Sequence, residues 1–318
     1  MEQKETWLAQ RRKCITATDV AKILGLAPWG SPHSVWRDKL GREEDGPPSP
    51  AMRLGVEMEP RIVDDYVSRH DGVELIDPGR YQLVTHPQHP WIACTPDRVY
   101  ADRSCGLECK YVLGSQRYWS EEKPANHAFL QAHWCMIAMQ IPRWDIAAWV
   151  GNRYYEYNLV ANAELHKTLV DQCQAYLDRY ILGDEEPDLD GSPQTSAYLS
   201  NLFEDITEEM LVPPEAVTVD ARRYRDILAE ERDLKTEKEH LKQGFAKKIG
   251  DATGFESEEF VLTYRRTKPS QKIDIRTFVA SVEDVLGQDK TADLVQRHTT
   301  ETPGTRRIAL KFREDING

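Results

Sequence analysis

The chain reads as an α/β protein, a central mixed sheet flanked by helices, followed by a smaller α+β extension. Three observations lead there. Apolar residues recur at helical spacing over residues 51–70, and helical segments follow at about 126–139 and 162–181. Between them lie strand candidates broken by Pro, Gly, His and Asp. After residue 183 the composition turns acidic, and one long helical pattern then runs over 219–249.

The first 45 residues suggest short helices. Thr18 or Asp19 can cap a helix through DVAKILG, and Gly25 can end it. The turn signal WGSPHS precedes a segment with Val35, Trp36 and Leu40, and REEDGPPSP at 42–50 has the composition of a loop. Leu54, Met58, Ile62, Val63 and Tyr66 then form the apolar face of the 51–70 helix. Strands are expected at 73–76, 80–85, 91–95, 98–101 and 106–112, then at 143–150 and 153–159 after the second helix. A helix, a meander of strands, a helix and more strands fit a mixed sheet covered by helices. GDEEPDLDGSP at 183–193 suggests a boundary, which gives a first domain at 1–183, an acidic connector at 184–209 and an extension at 210–318. In the extension Tyr224, Leu228, Leu234, Leu241, Phe245 and Ile249 form a seam on the long helix. A strand at 259–266, a helix at 274–286 and a hairpin-like ending around ETPGT complete it.

With 318 residues, 40% hydrophobic and 30% charged, the composition is that of a globular protein with a sizeable core. No run of about 18 apolar residues suggests a membrane span. The opening MEQKETWLAQRRK lacks the apolar stretch of a signal peptide, so a cytoplasmic location is expected. Six cysteines (Cys14, Cys94, Cys105, Cys109, Cys135 and Cys173) form no CxxC pair. Cys105 and Cys109 are close enough in sequence to suggest a metal site, but the compartment favours reduced thiols. The net charge of −12 argues against a nucleic-acid partner until its distribution is considered. Residues 1–183 hold 21 Lys and Arg against 24 Asp and Glu, and residues 210–318 balance at 20 each. The stretch 184–209 holds nine acids and no base, so one segment supplies most of the deficit. The rest keeps enough basic charge to line a phosphate track.

The most informative stretch is TPDRVYADRSCGLECK, from Thr95 to Lys110. Asp97 stands at the start of a short strand, with Glu108-Cys109-Lys110 eleven residues later. Positions i and i+2 of a strand share a face. Glu108 and Lys110 therefore point one way, and Leu107, Cys109 and Tyr111 the other. A hairpin over 98–106 folds Asp97 back beside Glu108. Two such carboxylates suit a hard cation such as Mg²⁺ or Mn²⁺, which in phosphodiester hydrolysis polarises phosphate and lowers the pKa of bound water. A lysine beside them can offset charge that builds on the phosphate. The main-chain carbonyl of Cys109 is a further candidate ligand. The competing reading is an exposed ion pair at a strand end.

Four ordered blocks add to this. They are RRKCITATDVAKILGLAPWGSPHSVWRDKLG, GVEMEP, TPDRVYADRSCGLECK and FLQAHWCMIAM, together spanning about residues 10–160. In these blocks the sequence resembles the YqaJ-like viral recombinase or lambda exonuclease family of the PD-(D/E)XK nuclease superfamily. The resemblance implies a PD-(D/E)XK nuclease core and a metal-dependent 5′→3′ exonuclease acting on double-stranded DNA ends. It implies a role in phage-type homologous recombination with a single-strand annealing protein, in a bacterial or phage-infected cell, and assembly into a trimeric ring. A structure-selective endonuclease and a non-catalytic DNA-binding scaffold remain alternatives.

By the same resemblance Asp97, Glu108 and Glu59 are metal-binding carboxylates, Lys110 is the catalytic lysine, and Gln131 lies near the scissile phosphate. Glu57 stands nearly opposite Glu59 on a helix, so only one of them can face the metal, and Glu59 is preferred. His133 stands where a second glutamine is common, and Arg98 where a glycine is frequent. Arg11 and Thr18 match residues suited to a terminal 5′ phosphate, with Arg12 as the alternative to Arg11 and an N-cap as the alternative role of Thr18. Residues 210–318 lie outside the resemblance. Their cluster Arg265, Arg266, Lys268 and Lys272 reads first as a solvated face.

Overall fold

The computed structural model of the chain describes residues 2–42, 48–114, 116–203, 210–266 and 274–299. The chain divides into two compact units, Met1–Leu202 and Phe203–Gly318.

The first unit is built on a five-stranded sheet of β2 (Leu75–Ile76), β5 (Arg98–Tyr100), β6 (Gly106–Val112), β7 (Arg143–Val150) and β8 (Arg153–Val160), in the order β2-β5-β6-β7-β8. Within this sheet, among the described residues, only β6 and β7 pair in parallel. A parallel pair needs a crossover, and α5 (Asn126–Met139) supplies it. A smaller sheet joins β1 (Ile15–Thr16), β4 (Ile92–Cys94) and β3 (Val84–Thr85). The expected mixed sheet between helices is thus present. The 80–85 strand shrinks to two residues next to a loop containing Pro78 and Gly79.

Helices cover both faces. On one, α5 lies between the sheet and α2 (Ala17–Ile23), which explains why it is apolar nearly all round, with Leu130, Trp134, Cys135 and Met136 buried. On the other, α4 (Pro50–Arg69) sets Ile62 and Tyr66 against Leu107 of β6 and Ala147 of β7. Tyr66 also donates to the buried carboxylate of Asp145 at 2.5 Å, and Asn158 donates to its other oxygen at 2.9 Å. That network fixes α4 on the sheet. Gly106, at the start of β6, lies under the indole of Trp144, and a β-carbon there would stand 2.4 Å from the ring.

At the N-terminus, α1 (Glu2–Arg12), α2 and α3 (Pro32–Lys39) are the expected short helices. The cap expected at Thr18 or Asp19 is corrected: α2 starts at Ala17 with Thr16 as its N-cap. Asp19 takes the third position, where its Oδ2 accepts from Thr16 N at 2.9 Å and Thr16 Oγ1 at 2.6 Å. Thr18 lies exposed in the first turn. After α6 (Ala163–Tyr176) and a π-helical turn, residues 184–202 return to the first unit through α7 (Pro193–Leu202). Glu186 meets His33 at 3.0 Å, and Tyr198 lies against Arg37.

The second unit holds α8 (Glu215–Ile249), the hairpin β9 (Gly254–Glu256) and β10 (Val261–Thr263), α9 (Ile275–Leu286) and α10 (Gln288–Arg297). β9 and α10 have no counterpart among the elements expected from sequence. The ETPGT ending, Lys268 and Lys272 lie outside the described residues. All six cysteines are free thiols. Among the described residues no helix is long and apolar enough to cross a membrane.

Candidate active site

The β5–β6 hairpin pairs Arg98 with Leu107 and Val99 with Gly106, which carries Asp97 back to β6. There Asp97 Oδ2 accepts the main-chain N–H of Cys109 at 2.8 Å. Leu107 of β6 packs in the cluster beneath α4, with Cys109 and Tyr111 against it. Glu108 and Lys110 take the opposite face and meet Gln131 of α5. Lys110 Nζ donates to Glu108 Oε1 at 2.5 Å and to Gln131 Oε1 at 2.9 Å. Gln131 Nε2 donates to the same Glu108 oxygen at 2.6 Å, which closes a triangle.

Burial sets the electrostatics. Glu108 is 1% exposed, and its Oε2 has no hydrogen-bond partner among the described residues. Burial pushes the Asp97 carboxyl well above the usual carboxylate range, and the Glu108 charge adds to the rise. Burial raises Glu108 too, against the pull of Lys110. For Lys110 burial acts downward, but Glu108 and Asp97 outweigh it and hold the ammonium above its ordinary pKa. Two carboxylates therefore share one ammonium.

Glu59 of α4 lines the same cavity, and Glu57 is exposed. Arg98 donates to Glu59 Oε1 at 2.7 Å and also faces Asp77. The Arg98 guanidinium thus offsets the charge of Glu59. Among the described residues no group of three or more His, Cys, Asp and Glu side chains is placed to hold an ion. The residues still fit Mg²⁺, which is commonly held by one or two carboxylates together with water and substrate phosphate. The unpartnered Glu108 Oε2 and the uncompensated negative charge are where such an ion would be accepted.

The cavity encloses about 430 Å³ and is also lined by Arg11, Thr16, Thr18, Trp7 and Thr95. Arg11 Nη2 donates to Thr18 Oγ1 at 3.2 Å, and its guanidinium lies 4.7 Å from the centre of the Trp7 ring. Arg12 instead faces Asp38. Beneath Arg11, the buried Lys39 ammonium binds Asp19 Oδ2 at 2.6 Å and the Arg11 carbonyl at 3.0 Å. Asp19 in turn holds Thr16, so an internal ion pair supports the Arg11 wall. Sequence reasoning does not single out Trp7, Thr16, Lys39 or Thr95, although Thr16-x-x-Asp19 has the spacing of a capping box. His133 is buried away from this cavity against His166, at 3.0 Å.

Residues 6–140 match the model of the YqaJ-like viral recombinase domain. The uncharacterized protein YqaJ of Bacillus subtilis (strain 168) is 24% identical over 205 residues, 63% of this chain and 63% of that protein's own length. Among solved structures, the alkaline exonuclease LHK-Exo from Laribacter hongkongensis aligns with a TM-score of 0.46 at 19% identity, covering 55% of this chain and 91% of that one. A phage-related exonuclease from Haemophilus somnus 129PT aligns at 0.41 and 14% identity, covering 54% and 96%. Residues 6–140, which hold every side chain from Arg11 to Gln131 described above, are thus the part of the chain similar to the YqaJ-like viral recombinase domain.

Proposed function

We propose that the chain is a metal-dependent DNA nuclease, a 5′→3′ exonuclease that acts on the ends of double-stranded DNA in phage-type homologous recombination. The observation that carries this reading is the Glu108–Lys110–Gln131 triangle beside Asp97, in the same cavity as Arg11. Asp97 and Glu108 would hold Mg²⁺, or Mn²⁺ in its place, with the Cys109 carbonyl and Glu59 as further oxygen donors. When bound, the ion supplies a polarised phosphate and a more acidic water. Lys110, held protonated by its two carboxylates, donates from Nζ to the phosphate oxygens as charge builds there. Gln131 holds Glu108 by its Oε1, which would leave the other carboxylate oxygen free to hold an ion.

Arg11 and Thr18 give the reading its direction. A guanidinium fork and a hydroxyl in the first turn of a helix are suited to a terminal phosphate. They stand around the same space as the carboxylates, so the bond cleaved lies close to the DNA end. A single-strand annealing protein as partner, ring-like self-assembly and a cytoplasmic location belong to the same proposal. The test compares linear duplex carrying 5′ phosphate, linear duplex carrying 5′ hydroxyl, and covalently closed circular DNA, each with Mg²⁺ or Mn²⁺. Rapid digestion of the first, slower digestion of the second and none of the circle is expected. Cleavage of the closed circle would instead support an endonuclease, and binding without cleavage a scaffold.

A further inference from the structure

The long helix α8 lies in the second unit, and its surface pattern is specific. At 35 residues it is about 52 Å long. Ile249 is the buried residue of this helix. Val217, Tyr224 and Phe245 fall on one seven-residue repeat, and Ile227, Leu234 and Leu241 on a second repeat offset by three. This is the a/d spacing of a left-handed coiled coil. The seam is open: Leu234 is 64% exposed and Leu241 51%. The remaining surface of α8 is densely charged, and an isolated helix of this kind gains little from propensity alone.

The charges within the seam identify the occupant. The same two repeats place Asp220 and Glu231 in the N-terminal half and Lys238 and Lys248 in the C-terminal half. A parallel copy would set each of these opposite its own like charge. An antiparallel copy brings the acidic half of one seam against the basic half of the other, and Leu234 near the two-fold axis. The stripe is therefore self-complementary in one direction only.

We propose that α8 pairs with α8 of a second copy of this chain as an antiparallel coiled coil. The inference is independent of the nuclease reading. The test is the mass of the full chain in solution, by light scattering and sedimentation, for wild type and Leu234→Glu/Leu241→Glu. Wild type is expected to have twice the mass of the variant. All eight tryptophans (Trp7 to Trp149) lie in the first unit, so an unchanged near-ultraviolet signal shows that the variant is folded there. Orientation is read from charge reversal. Glu231→Lys should raise the dimer dissociation constant by about tenfold or more, because it sets a second positive charge against the region of the partner's Lys238. Glu231→Lys/Lys238→Glu should restore it. A mass unchanged by the leucine substitutions overturns the proposal. So does an unchanged dissociation constant in Glu231→Lys, since a parallel pair merely exchanges one like-charge layer for another.

Discussion

Gln131 donates its side-chain amide to Oε1 of Glu108 at 2.6 Å, and the other oxygen of that carboxylate is buried without a partner among the described residues. One oxygen is fixed by the protein and one is left for something else. If Gln131 acts by orienting Glu108, Gln131→Ala should slow cleavage by about 10–100-fold and raise the Mg²⁺ concentration needed for half-maximal rate. Wild-type rate and Mg²⁺ dependence would reduce Gln131 to a packing residue.

The shared ammonium has a consequence for stability. Asp97 and Glu108 together leave one negative charge uncompensated, which costs stability when no cation is present. Asp97→Asn keeps an acceptor for Cys109 N–H but removes that charge. Its Tm in EDTA should exceed that of wild type, although cleavage is lost. Saturating Mg²⁺ should then raise the wild-type Tm more than the variant's. Equal Mg²⁺ shifts in both proteins would contradict ion binding at Asp97.

Arg11 and Arg12 are adjacent but have different surroundings, one in the cavity wall and one beside Asp38. A charge-assisted hydrogen bond is worth roughly 1.5–3 kcal/mol, or about 10–100-fold in rate ratio. Arg11→Ala should therefore reduce the preference for 5′-phosphorylated over 5′-hydroxyl ends by that factor, with Arg12→Ala close to wild type. An intact preference in Arg11→Ala would remove it from the phosphate grip.

The Asp19–Lys39 pair gives a pH signature. Burial alone would raise the Asp19 carboxyl, but the Lys39 ammonium 2.6 Å away outweighs it and holds the pKa well below the usual range. A depressed folded pKa adds stability above the unfolded value of about 3.9, and that stability is lost as pH falls through the folded value. Lys39→Met should cost about 3–5 kcal/mol in urea unfolding at pH 7, because it strands a buried carboxylate. It should also abolish this acid-side loss, and Asp19→Asn/Lys39→Met should recover most of the stability. Equal stability of Lys39→Met and wild type at pH 7 would show that the pair is not coupled.

The relation between sequence and site follows from which contacts are local. Strand alternation is local, so the opposite facing of Glu108 and Leu107 can be read directly, and a short hairpin is enough to return Asp97 to β6. The helix α5 is legible as an element, although its apolar surface gives no hint of which face holds Gln131. Contacts between distant segments are not legible. Arg98 lies 39 residues from Glu59 and Lys39 lies 20 from Asp19, and nothing in either motif names its partner. Sequence alone misplaces the helix cap because Thr16, Thr18 and Asp19 are all good capping residues, and only the β1 strand before Ala17 selects Thr16. α7 escapes notice because it is short and largely polar, with Thr195 as its buried residue.

If these side chains hydrolyse DNA with a divalent ion, cleavage must depend on both Lys110 and the ion. The most direct measurement is release of nucleotides from end-labelled linear duplex by wild type and Lys110→Ala, each in Mg²⁺ and in EDTA. Wild type should digest the duplex in Mg²⁺ alone. Lys110→Ala should bind the duplex and keep the wild-type near-ultraviolet signal, with cleavage slowed by about a thousandfold or more. Digestion by Lys110→Ala at the wild-type rate, or by wild type in EDTA, would contradict the account.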